Sequence, residues 1–190
     1  MTATIVIMSL VTAQRFAELV VARRNTAALI ARGAHEIGES DYPLIVAVHA
    51  AWLTSLWLLA PLQPILWPLI AVYVMLQGLR IWVLATLDRR WTTRIIVLPG
   101  EPLVTRGPFR FLRHPNYAVV AGEIAVLPLA FGLVGTAIFF TILNAALLRI
   151  RIRKESRALA AVRYADLQSP NGKSATGRTP ALAASHTQST

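Results

Sequence analysis

Long apolar runs alternate along this chain with short loops that carry nearly all of its charge, and that alternation restricts the fold more than any other feature. Thr2–Val21, Tyr42–Ala60 and Ile65–Leu87 are each close to the roughly 20 apolar residues that cross a bilayer as a helix. Tyr117–Phe131 and Val134–Leu148 form a shorter pair around Gly132, expected as a helical hairpin. A chain with 55% hydrophobic and 15% charged residues is too apolar for an ordinary water-soluble domain. The expected fold is an all-α integral membrane protein of about five transmembrane helices.

The first apolar run is not expected to be a cleaved signal. Met1–Thr4 contains no base, and Arg23 and Arg24 follow the run rather than precede it. Residues 1–168 are read as one membrane domain, and 169–190, rich in Ser, Thr, Pro, Gly and Ala, as a disordered tail. The absence of cysteine excludes disulfides, thiolate metal sites and a cysteine nucleophile, and no metal is expected.

The net charge of +10 is almost entirely arginine, with Lys154 and Lys173 the only lysines. The bases collect in 22–41, in 88–116 and from Arg149 onward, whereas Pro61–Pro64 and Gly132–Leu133 have none. With five spans all the basic segments fall on one side. The positive-inside rule makes that side cytoplasmic, with the N-terminus outside. Topology thus accounts for the arginines, and no nucleic-acid motif is present.

Three polar regions are denser in ionisable and ring-bearing residues than topology requires. Arg23–Pro43 reads as an amphipathic surface helix with Arg32 and Glu36 as an i,i+4 pair, or as a lid beside a lipid-facing site. Trp91–Tyr117 contains Pro99, Pro102, Pro108 and Pro115, which prevent a continuous helix. Irregular backbone beside a bilayer is tolerated where it is buried in protein or lines a watery cavity, so a pocket is expected here. His114 either contacts a ligand or caps the fourth helix. Glu123, two turns further in, is either a functional group or a hydrogen-bonded structural one. In Arg149–Tyr164, Arg151 and Glu155 share a helical face, a spacing equally suited to a surface ion pair.

RGPFRFLRHPNY, then Glu123, then RIRKES with Tyr164 beyond, resembles the isoprenylcysteine carboxyl methyltransferase family, integral membrane enzymes that use S-adenosylmethionine. The match covers Trp91–Tyr164, within a family-like core of about 65–168. RFAEL, RRN, RGAHE and DYPL before His49 look like a bacterial branch found beside type III polyketide synthases, whose members O-methylate long-chain alkylpyrones and alkylresorcinols. The resemblance implies an enzyme of the bacterial inner membrane acting on a lipophilic acceptor among membrane lipids. It implies a cofactor pocket of Glu101, Pro102, Leu103, Val104, Phe109, His114, Pro115, Asn116, Tyr117 and Glu155, with Arg94 as a weaker addition. Arg151 would face the reacting oxygen, and Glu123 or His114 would accept a proton from a hydroxyl acceptor. The family usually has tyrosine at Phe109 and often histidine at Glu101. Two other readings remain: an NADPH-dependent reductase of the sterol-reductase type, and a non-enzymatic membrane protein.

Overall fold

The computed structural model describes residues 1–37, 42–99, 101 and 104–168, the last eleven by backbone alone. Pro102, Leu103 and the tail 169–190 lie outside the described residues. The described residues form five α-helices, with a long connection before the fourth: α1 (Thr2–Ala31), α2 (Tyr42–Leu59), α3 (Trp67–Leu87), α4 (Pro115–Ala130) and α5 (Val134–Gln168). Among the described residues four apolar helical stretches are long enough to cross a membrane: Thr2–Ala31, Tyr42–Leu62, Trp67–Arg90 and Val134–Arg157. The exception, α4, has 16 residues and spans about 24 Å at 1.5 Å per residue. The expected short hairpin is therefore asymmetric, because α5 continues far past Leu148 as one uninterrupted helix.

The largest departure from expectation lies in 23–43. Among the described residues no separate surface helix forms there, because nothing in RRNTAALIA breaks a helix and α1 continues to Ala31. The chain then turns at Gly33, whose φ of 90° suits glycine alone. His35–Ile37 (β1) pairs antiparallel with Ile95–Val97 (β2), in the register Glu36 opposite Ile96. The expected Arg32–Glu36 pair is replaced by Arg32 with Glu101 and Glu36 with Arg94. This small ladder adds a β element to the helical architecture and ties the N-terminal third to the loop before α4.

Packing places α4 between α3 and α5. Gly122 lies against Leu76, where an added Cβ would stand 3.0 Å from the leucine Cδ1. The interior is built from Met8, Trp52, Leu56, Ile124, Leu127 and Phe131 with their neighbours. Pro128 inside α4 has no N–H to donate to the Ile124 carbonyl four residues back, and Trp52 Nε1 from α2 donates to that oxygen instead at 3.3 Å. Outward faces are apolar: Leu10, Phe16, Met75, Ile81, Phe139 and Ile142 are exposed on three helices, as a lipid-facing surface requires. At one end of the bundle Leu66 N–H donates to Ala130 O at 2.8 Å, so the start of α3 meets the end of α4. The charged loops consequently gather at the other end.

Deep between α1, α3 and α4 lies a charge-balanced ionic network in which Arg15 Nε alone of the two guanidiniums' buried nitrogens stays unpartnered. Glu123 accepts from Arg15 Nη2 at 2.7 Å, Arg80 Nη1 at 2.9 Å and Gln77 Nε2 at 2.8 Å. Glu18 accepts from Arg80 through Nε and Nη2, and from Arg15 Nη1 at 3.1 Å. Two guanidiniums and two carboxylates cancel in charge, and their mutual hydrogen bonds offset the cost of removing them from water.

Candidate functional site

The loop end of the bundle holds a cavity of about 170 Å³ between the Trp91–Val97 segment, the 3-10 turn Gly107–Arg110, the start of α4 and the middle of α5. Its walls follow from local sequence. Pro108 and Pro115 start their turn and helix, where a missing N–H costs nothing. Gly107 has φ of 59°, and a Cβ there would stand 2.6 Å from Thr86 Oγ1, so the turn packs on the last helical turn of α3 only because the residue is glycine. Asn25, on the part of α1 that runs past Val21, donates from Nδ2 to Trp91 O at 2.8 Å and Asp88 O at 3.2 Å. The loop is thus held from the N-terminal helix.

A hydrogen-bonded array crosses the cavity floor. The Tyr117 hydroxyl donates to Glu155 Oε2 at 2.6 Å and accepts from Arg151 Nε at 2.9 Å. Arg151 also donates through Nη2 to Thr93 O, and its guanidinium carbon lies 5.6 Å from the Tyr117 ring centroid. The shared face of Arg151 and Glu155 therefore points inward, each bonded to the same phenol from α4. His114 stacks on Tyr117 with centroids 5.5 Å apart and planes 22° apart, and its Nδ1 is 3.7 Å from Glu155 Oε2. It occupies the N-cap position of α4 without making a side-chain cap, leaving its ring with the cavity.

Two polar atoms in these walls are buried without a hydrogen-bond partner, the Trp91 Nε1 donor and the Asn116 Oδ1 acceptor. Both belong to residues that line the cavity, and because buried polar groups are nearly always satisfied they point to a polar ligand met by a small shift of these walls. Aromatic rings of Phe109, His114 and Tyr117, the Glu155 carboxylate and the Arg113 guanidinium complete a lining suited to a polar, ring-bearing molecule.

Of the residues expected from sequence, Arg94, Phe109, His114, Pro115, Asn116, Tyr117, Arg151 and Glu155 come together here. Glu101 does not line the cavity: it pairs with Arg32 at 2.7 Å and Arg90 at 3.1 Å on the loop surface. Val104 is likewise absent from the lining. Glu123 is 1% exposed, sits inside the ionic network and is not among the residues lining the cavity. Trp91 and Arg113 belong to the walls although sequence reasoning did not assign them. Their signal was their position, Trp91 at the start of the proline-rich loop and Arg113 directly before His114.

Arg94 has neighbours of its own. Its Nη1 donates to both Glu36 oxygens, at 2.8 and 2.7 Å, and these bonds raise its pKa above the ordinary arginine value. The guanidinium lies 4.4 Å from the centroid of the Tyr42 ring, whose hydroxyl is 3.1 Å from Thr93 Oγ1. On the far side of Arg94 and Arg151 is a second cavity of about 50 Å³, walled by Leu44, Ile45, Leu147 and Ile150 among others.

The sequence model of the isoprenylcysteine carboxyl methyltransferase (ICMT) family matches residues 69–161. The uncharacterized protein YpbQ of Bacillus subtilis (strain 168) is 42% identical over 158 residues, 80% of this chain and 94% of that protein. An uncharacterized protein of Haemophilus influenzae is 26% identical over 152 residues, 77% of this chain and 88% of its own. No solved structure matches the chain.

Proposed function

Because the chain belongs to the isoprenylcysteine carboxyl methyltransferase family, we propose that it is an S-adenosylmethionine-dependent membrane enzyme that methylates an oxygen of a lipophilic acceptor. The observation that carries this reading is the pair of open polar atoms, Trp91 Nε1 and Asn116 Oδ1, in a cavity whose floor is the Tyr117–Glu155–Arg151 array. The cofactor would be held by Trp91, Phe109, His114, Pro115, Asn116, Tyr117 and Glu155. When bound, it supplies an electrophilic methyl on a sulfonium.

The chain's own residues then have two tasks. The first is alignment, which for two correctly oriented reactants lowers a barrier by about 7–11 kcal/mol. Tyr117 serves it by fixing the rotamers of Glu155 and Arg151 together. The second is electrostatic: Arg151 favours the oxyanion form of the acceptor oxygen and lowers the cost of losing its proton. A carboxylate acceptor has no proton to lose. A phenol or enolic pyrone releases one, and His114, which lines the cavity where Glu123 does not, is the base within reach.

The finer acceptor assignment rests on the N-terminal resemblance. It is a long-chain alkylpyrone or alkylresorcinol, the product class of a type III polyketide synthase, with an isoprenylcysteine-like carboxylate as the other candidate. The charge pattern supports a cytoplasmic site in a bacterial inner membrane. Calorimetric titration of the detergent-purified protein with S-adenosylhomocysteine tests the cofactor, with NADPH in parallel. Micromolar binding of S-adenosylhomocysteine that His114→Ala abolishes is the expected result. Binding of NADPH alone would replace the methyltransferase with a reductase, and binding of neither would leave a non-enzymatic membrane protein.

A further inference from the structure

Sequence resemblance ranks Arg94 as a marginal cofactor contact, yet its place in the structure is the partition between two cavities. Arg94, Ile95 and Arg151 line both the polar cavity and the smaller one beside it. The smaller cavity has a different character. Its apolar walls come from the start of α2 (Leu44, Ile45) and the middle of α5 (Leu147, Ile150), and Leu44 and Ile150 remain exposed at the outer rim. It is a groove that opens on the apolar flank of the bundle and ends inward at two guanidiniums.

Charge along this groove is unequal. Of the groove's own lining Arg94 and Arg151 contribute two positive charges and Glu36 one negative, while Glu155 meets Arg151 only through the Tyr117 hydroxyl on the side of the polar cavity, so a single positive charge stands in excess within the groove. Both bonds to Glu36 use Nη1 of Arg94, and Tyr42 covers the guanidinium face, so the group is held from one edge while the rest of its fork is not committed to Glu36. Apolar walls with one surplus positive charge complement a single-chain amphiphile whose head presents one anionic oxygen. Glu36 and Tyr42 precede residues 69–161, so this support is not part of the segment the family shares.

We propose that Arg94 is an acceptor-positioning residue: with Arg151 it brackets the reacting oxygen of a single-chain anionic amphiphile lying between α2 and α5, and Glu36 and Tyr42 hold it in that posture. This rests on the methyltransferase reading and assigns the substrate class of that same site. Palmitate and a long-chain alkylresorcinol are the probes, presented in detergent to the full-length protein. Turnover is measured with S-adenosylmethionine, and acceptor binding by calorimetry with S-adenosylhomocysteine bound.

Arg94→Ala is expected to weaken acceptor binding and raise its KM about tenfold while S-adenosylhomocysteine affinity changes less than about twofold. Arg94→Lys, which keeps charge but not the fork, should recover part of the loss. Glu36→Gln preserves shape while freeing Arg94 from its carboxylate, and should shift acceptor KM with little effect on kcat. It also keeps the test open if Arg94→Ala does not fold. An Arg94→Ala variant that loses cofactor affinity in proportion, or keeps its acceptor KM, overturns the proposal. A wild-type protein that binds S-adenosylhomocysteine but methylates neither probe overturns the substrate class while the methyltransferase reading stands. Failure to bind S-adenosylhomocysteine at all sinks that reading instead.

Discussion

Two polar clusters share helix α4, and they differ in what they leave open. Around Glu123 every carboxylate oxygen is taken by Arg15, Arg80, Gln77 or Gln14, and the charges balance. Around Tyr117, two turns away, the array is only partly satisfied, with Trp91 Nε1 and Asn116 Oδ1 unpartnered beside a cavity. Both clusters contain arginine and glutamate, so residue type does not separate structure from function. Charge closure and position do: the Glu123 cluster balances its charges and its own unpartnered atoms, Arg15 Nε and the Tyr73 hydroxyl, lie off the cavity lining, whereas Trp91 and Asn116 line the cavity and give it the polarity of a binding site.

The sharpest way to break this contrast is to remove charge from the closed cluster. Glu123→Ala leaves Arg15 and Arg80 short of a buried partner and should cost about 3–5 kcal/mol of stability, read as a large fall in thermal midpoint in detergent. If Glu123→Ala melts normally and loses only turnover, Glu123 belongs to the chemistry and the contrast fails. In the open cluster the order of effects reverses. Arg151→Ala should abolish most methyl transfer and keep much of its S-adenosylhomocysteine binding, whereas Glu155→Ala should weaken that binding at least about tenfold with little change in melting.

Gly107→Ala places a Cβ against Thr86 at positive φ and should cost about 1–2 kcal/mol, with weaker cofactor binding because Phe109 moves with its turn. An unchanged dissociation constant would mean that the turn does not position the cavity wall. The smallest effect is expected at Arg32→Ala. Its side chain is 53% exposed and pairs with Glu101 outside both clusters, so removing it should change stability by less than about 1 kcal/mol.

How far the sequence could be read follows the range of each interaction. The bounds of α2 and α3 match the apolar runs within a few residues, since Pro43, Pro64 and Asp88 lie near their ends. The end of α1 was misplaced because Arg23 and Arg24 were read as the end of a span, whereas a helix continues through charges that reach water. The pairing of β1 with β2 left no signal, being three residues on each side joined across most of the N-terminal half. Glu123 was placed at the right depth, but its partners lie on α1 and α3, and sequence spacing says nothing about how separate helices are rotated. Arg151 and Glu155 were correctly put on one face. What spacing could not supply was the phenol from another helix that each of them bonds.

The unbroken length of α5 has one more consequence. From Val134 to Arg151 the helix climbs about 26 Å without a kink, its apolar part ending at Leu148, so the guanidinium stands at a constant altitude just past the last hydrocarbon-facing turn. Such a rod works as a depth gauge. On the proposed methyltransferase reading it would select an acceptor by the level of its oxygen in the leaflet and be indifferent to how far the tail reaches below.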